Sequence, residues 1–398
     1  MQVVLFDGAY RTSLLPLTYA RPVGELRIGC LTVAEKWAQR MAAPVSYLTQ
    51  DYLTDRYPLT VGEDNLLIDA SLLPSVALVS FVKDLPGGAV YTQDSQVVVA
   101  RLDAASLRRY VTDGTLPNGT GELPHLPLNR LQHPSDVFTL NDQELRVDFE
   151  LLAVGRQSEA LSATNRLIGP REQLFIEAGA SIEGCTLNTS TGPIYVGQDA
   201  LIMEGGLLRG PLCVGPGAVV KMGAKVYGAT TFGPRCKVGG EISNVVFQAN
   251  SNKGHDGYLG NSVIGEWCNL GADTNASNLK NDYGEVKVWS YVEQGLRSTG
   301  LQFHGIVMGD HSKTGINTML NTGTVIGFSA NVYGGDFPPK FIPSFSWGGG
   351  ADRVTYRLDK AITTATRVMQ RRGLTFGPQE DRIFRRVYEE TAAFRQPA

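Results

Sequence analysis

The stretch "VGQDALIMEGGLLRGPLCVGPGAVVKMGAKVYGATTFGPRCKVGG", Val196 to Gly240, carries an aliphatic or aromatic residue at every sixth position. These residues are Val196, Ile202, Leu208, Val214, Val220, Val226, Phe232 and Val238. Several are followed by Gly or Gly-Pro, which suits a short strand that ends in a tight corner. Half-buried strands of a β-sandwich alternate with a period of two, but a sandwich gives no reason for so long a run at six. The period therefore predicts a parallel β-helix, in which three hexamers form one coil and stacked coils bury the apolar face.

A second run with the same spacing comprises Met308, Thr314, Leu320, Ile326 and Val332. Between the runs the sixth position falls on Asn244, and the polar stretch to about Tyr258 predicts that the chain bulges or leaves the prism. The spacing resumes at Ile264 and Leu270, and residues 276–300 are expected to form a polar excursion. Loops carried on a rigid scaffold are where function concentrates, so both interruptions are candidate sites.

The rest of the chain predicts two further parts. Alternating strand and helix patterns over residues 1–160 indicate a Rossmann-like α/β domain, before a β-helix domain at 161–350. Residues 351–398 contain two amphipathic segments, which we expect to form short helices that cover the open end of the β-helix.

Composition narrows the class of partner. The 398 residues include 36 Lys and Arg against 39 Asp and Glu, a formal net charge of -3 without a basic field typical of nucleic-acid or membrane-surface binding. We therefore expect small-molecule partners, no nucleic acid and no membrane insertion, since no window approaches 18 uninterrupted apolar residues. Five widely spaced cysteines without a CxxC pair suit free buried thiols in a reducing compartment, which predicts a cytoplasmic protein.

One histidine lies where the six-residue spacing breaks, in "KGHDGYLGNSVIGEWCNLGADTNASN", Lys253 to Asn278. An imidazole titrates close to working pH, so His255 can accept a proton from an amine that attacks a thioester. The stretch resembles the acetyltransferase half of GlmU-like bifunctional enzymes of UDP-N-acetylglucosamine synthesis, whose motif is approximately KAGHxxYLGxxxIGxxxNIGAGTxxxN. Twelve positions match in register.

The resemblance implies a role for several residues. His255 would be the general base for acetyl transfer from acetyl-CoA to glucosamine-1-phosphate, and Ala272 would contact acetyl-CoA. The implied substrate-binding residues are Lys253, Tyr258, Asn269, Asn278, Lys287 and Lys225. Hexapeptide-repeat acyltransferases resemble one another in forming trimers with sites between subunits, so a homotrimer is expected.

The motif also differs from the family, and its histidines allow another interpretation. A phosphate-binding lysine of the family falls on Ser243, and Lys221, Lys225 or Arg235 are the candidates to replace it. His304 and His311 raise the alternative of a zinc site, but their separation of seven is out of phase with the repeat and forms no close ligand pair.

The N-terminal half resembles the sugar nucleotidyltransferases less closely. Where that family has a strand followed by LxxGxGTRxxxxxxxxPK, this chain has "LFDGAYRTSLLPLTYARPVGELRIG", which keeps only Gly8, Arg11 and, in place of the lysine, Arg21. The stretches "LLPLTYARPVGELRIGCLTVAEKW", "MGDHSKTGINTMLNTGTVIGFSANVYGG" and "FIPSFSWGG" resemble a divergent branch of the same bifunctional family. The resemblance implies that Gly8, Arg11 and Arg21 bind the nucleotide and that Asp69 and Asn141 hold Mg²⁺.

The sequence thus predicts a two-domain enzyme that acetylates glucosamine-1-phosphate and then joins the product to UTP or another nucleoside triphosphate. Two alternatives stay open at this point. One is a sugar-1-phosphate nucleotidyltransferase whose β-helix is purely structural, and the other is a non-catalytic protein that binds sugar nucleotides.

Overall fold

The computed structural model describes residues 1–117, 120–123, 126–350 and 352–395. The chain divides into two compact units. The first comprises residues 1–14, 20–26 and 31–133, and the second comprises residues 15–19, 27–30 and 134–398. The α/β architecture, the β-helix and the short C-terminal helices are all as predicted.

The first unit is built on a six-stranded mixed sheet. The strands Val45–Leu48, Gln2–Phe6 and Asp64–Asp69 are neighbours and run parallel to one another. The strand Asp64–Asp69 pairs antiparallel with Gln96–Asp103 on its other side. The strand order is Val45–Leu48, Gln2–Phe6, Asp64–Asp69, Gln96–Asp103, Val90–Gln93, Thr120–Glu122. The central strands bury both faces, as the near-continuous apolar runs require.

Helices of the first unit pack on this sheet and connect its strands. Thr32 accepts a hydrogen bond from the Glu35 amide while Glu35 reaches back to Thr32, a capping box that starts the first helix. The helices and remaining short elements are Val33–Met41, Val76–Lys83, Ala104–Asp113, the 3-10 turns Val23–Glu25 and Asp51–Leu53, and the strand Leu31–Thr32.

The second unit contains the β-helix. Ile202 pairs with Val220 and Val220 with Val238, so one coil takes three hexamers. All eight positions of the first predicted run are at most 2% exposed, and the second run is also buried, which confirms the repeat. The strands are Arg166–Ile168, Leu174–Ile176, Ser181–Ile182, Thr186–Asn188, Ile194–Val196, Leu201–Ile202, Leu207–Arg209, Leu212–Val214, Val219–Val220, Lys225–Tyr227, Thr230–Phe232, Lys237–Val238, Glu241–Phe247, Asn252–Lys253, Tyr258–Ile264, Asn275–Ala276, Val307–Met308, Lys313–Thr314, Met319–Leu320, Val325–Ile326, Asn331–Val332, Phe341–Ile342, Ser346–Trp347 and Val354–Thr355.

The two interruptions have different structures. At the first, the chain bulges but stays in the prism, because the strand Glu241–Phe247 continues the faces of both Lys225–Tyr227 and Thr230–Phe232. Asn244 forms this bulge in the left-handed backbone region, at a φ of 56°. At the second, the chain makes the expected excursion, an antiparallel hairpin of Lys287–Ser290 and Gly295–Ser298.

Helices of the second unit flank the β-helix. They are Asp136–Thr139, Asn141–Ala153, Leu358–Gln370, Pro378–Glu390 and Ala392–Arg395, with the 3-10 turn Arg171–Gln173 and the short strand Arg27–Ile28. The C-terminal helices pack on the last coils, where the Phe384 ring lies 4.9 Å from the Phe328 ring. The helix that begins at Asn141 belongs to this unit, ahead of the boundary expected at 160. Arg146 Nη2 of this helix donates to the Thr191 carbonyl of a coil at 2.7 Å.

Several expectations about single residues can be compared with the structure. All five cysteines are free and buried. His304 is buried against the Phe138 ring and His311 against the Phe384 ring, so both serve the core. No group of three or more His, Cys, Asp or Glu side chains in the described ranges could hold a metal ion. None of the helices in that part of the chain is long and apolar enough to cross a bilayer.

Candidate active sites

The first candidate site is a groove along one corner of the β-helix. Four successive coils contribute to it, and its volume is about 570 Å³. Three of the lining positions are glycines, which add no side chain that would fill the groove. The lining residues are Lys221, Met222, Gly239, Gly240, Gly254, His255, Asp256, Ala272 and Asp273.

His255 is exposed in this groove. Its ring makes no hydrogen bond to any residue that the structure describes, so the imidazole nitrogens are accessible to a ligand. Ala272, expected to contact acetyl-CoA, lines the same groove one coil away. The structure therefore places the expected base and the expected cofactor contact side by side.

Lys253 has a different position from the one implied by a substrate-binding role. The side chain is 1% exposed, and Nζ donates to the carbonyl oxygens of Gly239 at 3.2 Å and His255 at 2.9 Å. Burial lowers the pKa of this ammonium to about 8, although Asp256 and Asp273 act in the opposite direction. Lys253 thus fixes the backbone of the His255 corner from beneath.

Tyr258 and Asn278 form a polar pair on the face that follows this corner. The Tyr258 amide donates to Asn275 Oδ1 at 2.8 Å, and Asn278 Nδ2 donates to Asn261 Oδ1 at 2.7 Å. A Cβ atom on Gly260 would lie closer than 3.0 Å to both the Tyr258 hydroxyl and Asn278 Nδ2. The two side chains therefore meet over Gly260, and burial raises the Tyr258 pKa, so the hydroxyl stays protonated and can donate.

The other predicted substrate contacts are dispersed. Lys225 is exposed and aligned with Glu241, which in turn aligns with Tyr258 on the next coil. Asn269 is exposed on another face and accepts from Asn252 Nδ2 at 3.5 Å. Lys287 is exposed on the hairpin of the excursion.

Of the cations proposed to replace the missing lysine at Ser243, only Lys221 lines the His255 groove. Its Cε atom lies 4.0 Å from the position of a Cβ on Gly254. The Lys221 side chain therefore extends across the corner that carries His255.

The second candidate site lies at the carboxyl edge of the sheet in the first unit. Asp7 follows the strand Gln2–Phe6, Thr49 follows Val45–Leu48, and Asp69 ends Asp64–Asp69. The first of these strands lies between the other two, so the chain crosses from one side of it to the other. In open α/β sheets such a switch point forms the ligand crevice.

Asp7 is the best-anchored residue at this edge. Its carboxylate accepts from the Val23 amide at 2.7 Å and the Thr49 hydroxyl at 2.6 Å. Arg11 Nε lies 3.2 Å from Asp7 Oδ2. Burial raises the pKa of Asp7, the Thr49 hydrogen bond opposes that, and the nearby Asp69 adds to the rise. An Asp-Gly pair directly after a buried strand was the signal that sequence reasoning missed.

The predicted nucleotide-binding residues occupy two environments. Gly8 faces Asp69, because a Cβ at Gly8 would lie 3.0 Å from Asp69 Oδ2. Arg11 is anchored by its own hydrogen bond to the Tyr52 hydroxyl at 2.8 Å as well as by Asp7. Arg21 is only 4% exposed, so its role at this edge is less direct than that of Arg11.

The two predicted Mg²⁺ ligands differ in whether they fit a metal ion. Asp69 is 5% exposed and uses Oδ1 to accept from the Ser71 amide at 2.9 Å, while Oδ2 faces Gly8. A carboxylate in that position suits Mg²⁺, which takes one or two carboxylates together with substrate phosphates.

Asn141 does not fit a metal-binding role. Its Oδ1 accepts from the Gly29 amide at 2.7 Å and the Thr231 hydroxyl at 3.2 Å, and Nδ2 donates to the Ala229 carbonyl at 2.8 Å. Both lone pairs of the amide oxygen are therefore engaged within the second unit. The metal assignment for Asn141 is corrected to a structural one.

Arg130 is another residue at this edge that the sequence did not single out. Its guanidinium lies 5.3 Å from the Tyr10 ring centre, and its Nε and Nη2 atoms are buried without a hydrogen-bond partner in the described structure. The positive charge also opposes the rise that burial causes in the Asp69 pKa. This arrangement leaves guanidinium donors available beside a carboxylate.

Comparisons with known proteins bear on the class of protein. Residues 3–157 match the sugar nucleotidyl transferase family. The chain is similar to parts of bifunctional nucleotidyltransferase/acetyltransferase proteins. It is 38% identical over 146 residues to a bifunctional sugar-1-phosphate nucleotidylyltransferase/acetyltransferase of Sulfurisphaera tokodaii, covering 36% of each chain. It is 34% identical over 87 residues to the bifunctional protein GlmU of Methanocaldococcus jannaschii, covering 22% of this chain and 21% of that one.

A third relative is named only for the acetyl-transfer class. An uncharacterized acetyltransferase, YaiX, of Escherichia coli is 34% identical over 142 residues, covering 35% of this chain and 61% of that protein. The matches span about a third or less of the two bifunctional relatives. The comparisons therefore support the class of protein, and the reactions of this chain are proposals.

Proposed function

We propose that this chain is a bifunctional enzyme that acetylates glucosamine-1-phosphate with acetyl-CoA and then transfers a uridylyl group from UTP to the product. The exposed His255 in the corner groove is the observation that carries the acetyl-transfer half. The match of residues 3–157 to sugar nucleotidyl transferases supports the other half. Proteins with both activities in their names are among the relatives of this chain.

The acetyl transfer assigns a role to each group in the groove. The amino-sugar nitrogen attacks the thioester carbonyl carbon, and His255 accepts the proton that the nitrogen loses. The carbon–sulfur bond then breaks, and the imidazolium returns the proton to the leaving thiolate. General-base catalysis of this kind contributes about 10²- to 10⁴-fold in rate.

Neighbouring groups would hold the sugar and the cofactor. Tyr258 and Asn278 can donate hydrogen bonds to the sugar from the adjacent face, and Ala272 leaves room for acetyl-CoA beside His255. Lys225 and Lys287 are the candidates for the sugar phosphate, together with Asn269. A homotrimer, which the β-helix suits, would place a neighbouring subunit against these exposed faces.

Nucleotidyl transfer would use the sheet edge of the first unit. Gly8 leaves space for the nucleotide phosphates, Arg11 offsets their charge, and Arg21 supports the loop from its buried position. Mg²⁺ would be held by Asp69 and would neutralise phosphate charge when bound. Asp7 positions Arg11 and the loop, since its carboxylate binds two neighbouring segments.

The test is a pair of assays on the purified full chain. Thiol release from acetyl-CoA with glucosamine-1-phosphate reports the first reaction, and pyrophosphate release from UTP with N-acetylglucosamine-1-phosphate reports the second. His255→Gln keeps a polar side chain without a base, so we expect thiol release to fall by about 10²-fold or more and pyrophosphate release to be unchanged. Thiol release at the wild-type rate in His255→Gln would refute the mechanism.

A second candidate is a nucleotidyltransferase whose β-helix is structural. It is favoured by one observation, that the family match covers only residues 3–157. Pyrophosphate release without any thiol release from wild-type protein would establish it. Nucleotide binding without either release would instead establish a non-catalytic binding protein.

A further inference from the structure

Four cations meet on the face of the β-helix beside the His255 groove. Lys221 lines the groove itself. Lys237 is in register with Asn252 on the next coil, and Asn252 Oδ1 accepts from Arg372 Nη2 at 2.8 Å. Arg371 precedes Arg372 at the end of the helix Leu358–Gln370. We call Lys221, Lys237, Arg371 and Arg372 the cationic cluster.

The cationic cluster has no partner of opposite charge in ion-pair contact within the described ranges. None of the four side chains has an ion-pair partner among the residues that the structure describes. The pKa of Lys237 is lowered, first by burial and then by Arg372, Lys221 and Arg371. Like charges brought together without counter-ions repel one another, so the arrangement favours a bound anion.

Stabilisation of the helix end does not account for the cluster. Cations in the last turn of a helix are stabilised by the helix dipole, which would suffice for Arg371 and Arg372 alone. However, the Arg372 guanidinium turns to the β-helix, where Nη1 donates to the Arg235 carbonyl at 2.9 Å and Nη2 binds Asn252. Lys221 and Lys237 come from separate coils, so the helix dipole does not account for their positions. The cluster is thus assembled from three segments at one edge of the groove.

The number and placement of the charges indicate which anion fits. A sugar 1-phosphate carries one phosphate, whereas coenzyme A carries a 3′-phosphate and a pyrophosphate at the end remote from its thiol. Only Lys221 of the four lines the groove, and the other three lie outside its lining. A ligand with its reactive end at His255 and several phosphates farther away matches this distribution.

We propose that Lys221, Lys237, Arg371 and Arg372 bind the 3′-phosphate and pyrophosphate of an acyl-coenzyme A, whose thioester then reaches His255 along the groove. This inference rests on the proposed acetyl transfer and adds residues that neither the sequence motif nor the family resemblance assigns to coenzyme A. Arginine and lysine donate charge-assisted hydrogen bonds to phosphate oxygens, and these are stronger than neutral ones. Arg372 is held in place before a ligand arrives, which lowers the entropic cost of binding.

The experiment compares the full-length wild type with the double variant Lys237→Gln/Arg371→Gln. Neither residue makes a side-chain hydrogen bond in the described structure, so the change removes charge and leaves the packing in place. Arg367→Gln is the matched control, since Arg367 is exposed on the same helix and outside the cluster. The Michaelis constant is measured for acetyl-CoA, for 3′-dephospho-acetyl-CoA and for glucosamine-1-phosphate.

We expect the double variant to raise KM for acetyl-CoA by about tenfold or more, with a smaller rise for the dephospho analogue and no change for the sugar phosphate. Arg367→Gln should change none of the three. A rise in KM for glucosamine-1-phosphate alone would overturn the assignment to coenzyme A, because the sugar phosphate would then occupy the cluster. Equal values in the double variant and the control would overturn the site itself.

Calorimetric titration with coenzyme A separates this inference from the proposed reaction. One outcome is that the double variant binds coenzyme A about tenfold more weakly than wild type while wild type shows no thiol release. That result would support coenzyme A binding by the cationic cluster and refute the proposed acetyl transfer. If wild type releases thiol and both proteins bind coenzyme A equally, the proposed acetyl transfer is supported and coenzyme A binding by the cationic cluster is refuted.

Discussion

Replacing Lys253 by methionine tests how the His255 corner is held. Methionine keeps an unbranched side chain of similar length but removes the ammonium that binds the carbonyl oxygens of Gly239 and His255. Two effects on the free energy of unfolding then oppose each other. The variant loses two charge-assisted hydrogen bonds, worth about 1.5 to 3 kcal/mol each. It also no longer buries a charge.

The pKa of Lys253 gives the size of the second effect. Its fall from 10.5 to about 8 in the folded protein corresponds to about 3 kcal/mol of unfavourable free energy whenever the unfolded and folded states are both protonated. Below pH 8 that cost is fully present. Between pH 8 and 10.5 the unfolded state binds more protons than the folded state, so wild-type stability rises with pH. The methionine variant lacks this gain.

The assay is urea-induced unfolding of both proteins at a series of pH values from about 7 to 10.5. Near pH 7 we expect the variant to be less stable by no more than about 3 kcal/mol, because the two effects partly cancel. The gap should then widen by about 3 kcal/mol as the pH approaches 10.5. Lys225→Met, at an exposed lysine on the neighbouring face, serves as the control, and the gap for Lys253→Met should widen more than the gap for this control. A gap for Lys253→Met that does not change with pH would refute the assignment of a buried, charged ammonium at that position.

Three further predictions concern the two sites. Gly260→Ala would place a methyl group closer than 3.0 Å to Tyr258 and Asn278, so we expect KM for glucosamine-1-phosphate to rise by about tenfold while circular dichroism stays unchanged. Asp69→Asn should reduce Mg²⁺-dependent pyrophosphate release by about 100-fold or more and leave thiol release intact, and equal loss of both would contradict a local role. Asn141→Ala should lower the free energy of unfolding by about 2 to 4 kcal/mol, because it leaves two backbone groups unpaired. Pyrophosphate release per folded molecule should persist in that variant, and its loss would restore Asn141 as a metal ligand.

The β-helix was predictable because one short rule repeats. A residue such as Val220 pairs with its equivalents one coil before and one coil after. A wrong assignment of the repeat at one position would therefore conflict with the positions on neighbouring coils. The stretch after Asn244 was harder to interpret. Its polar composition suggested that the chain could leave the prism, yet the strand Glu241–Phe247 continues two faces through a single bulge at Asn244. Composition cannot distinguish a bulge from a loop when both favour Asn and Gly.

Side-chain roles were less predictable than the fold for a related reason. The motif around His255 predicted a base there and a cofactor contact at Ala272, and both residues line one groove. It could not show that the Lys253 ammonium is buried beneath that groove, or that the Asn141 amide is fully hydrogen-bonded within the second unit. Both facts depend on residues far away in the sequence. Asp7 was missed because the glycine motif of the family has no carboxylate there, and the alignment of strand ends shows why the Asp-Gly pair matters.

Lys253 is also an exception to the apolar repeat. Its partner on the preceding coil is Val238, which pairs in turn with Val220, so the lysine occupies a position that the repeat fills with aliphatic residues. Burying a charge there is unfavourable by about 3 kcal/mol, and an aliphatic residue would avoid that. An aliphatic residue, however, could not bind the carbonyl oxygens of two consecutive corners. The unfavourable burial of a lysine in this aliphatic position therefore accompanies a defined backbone position for His255 at the corner.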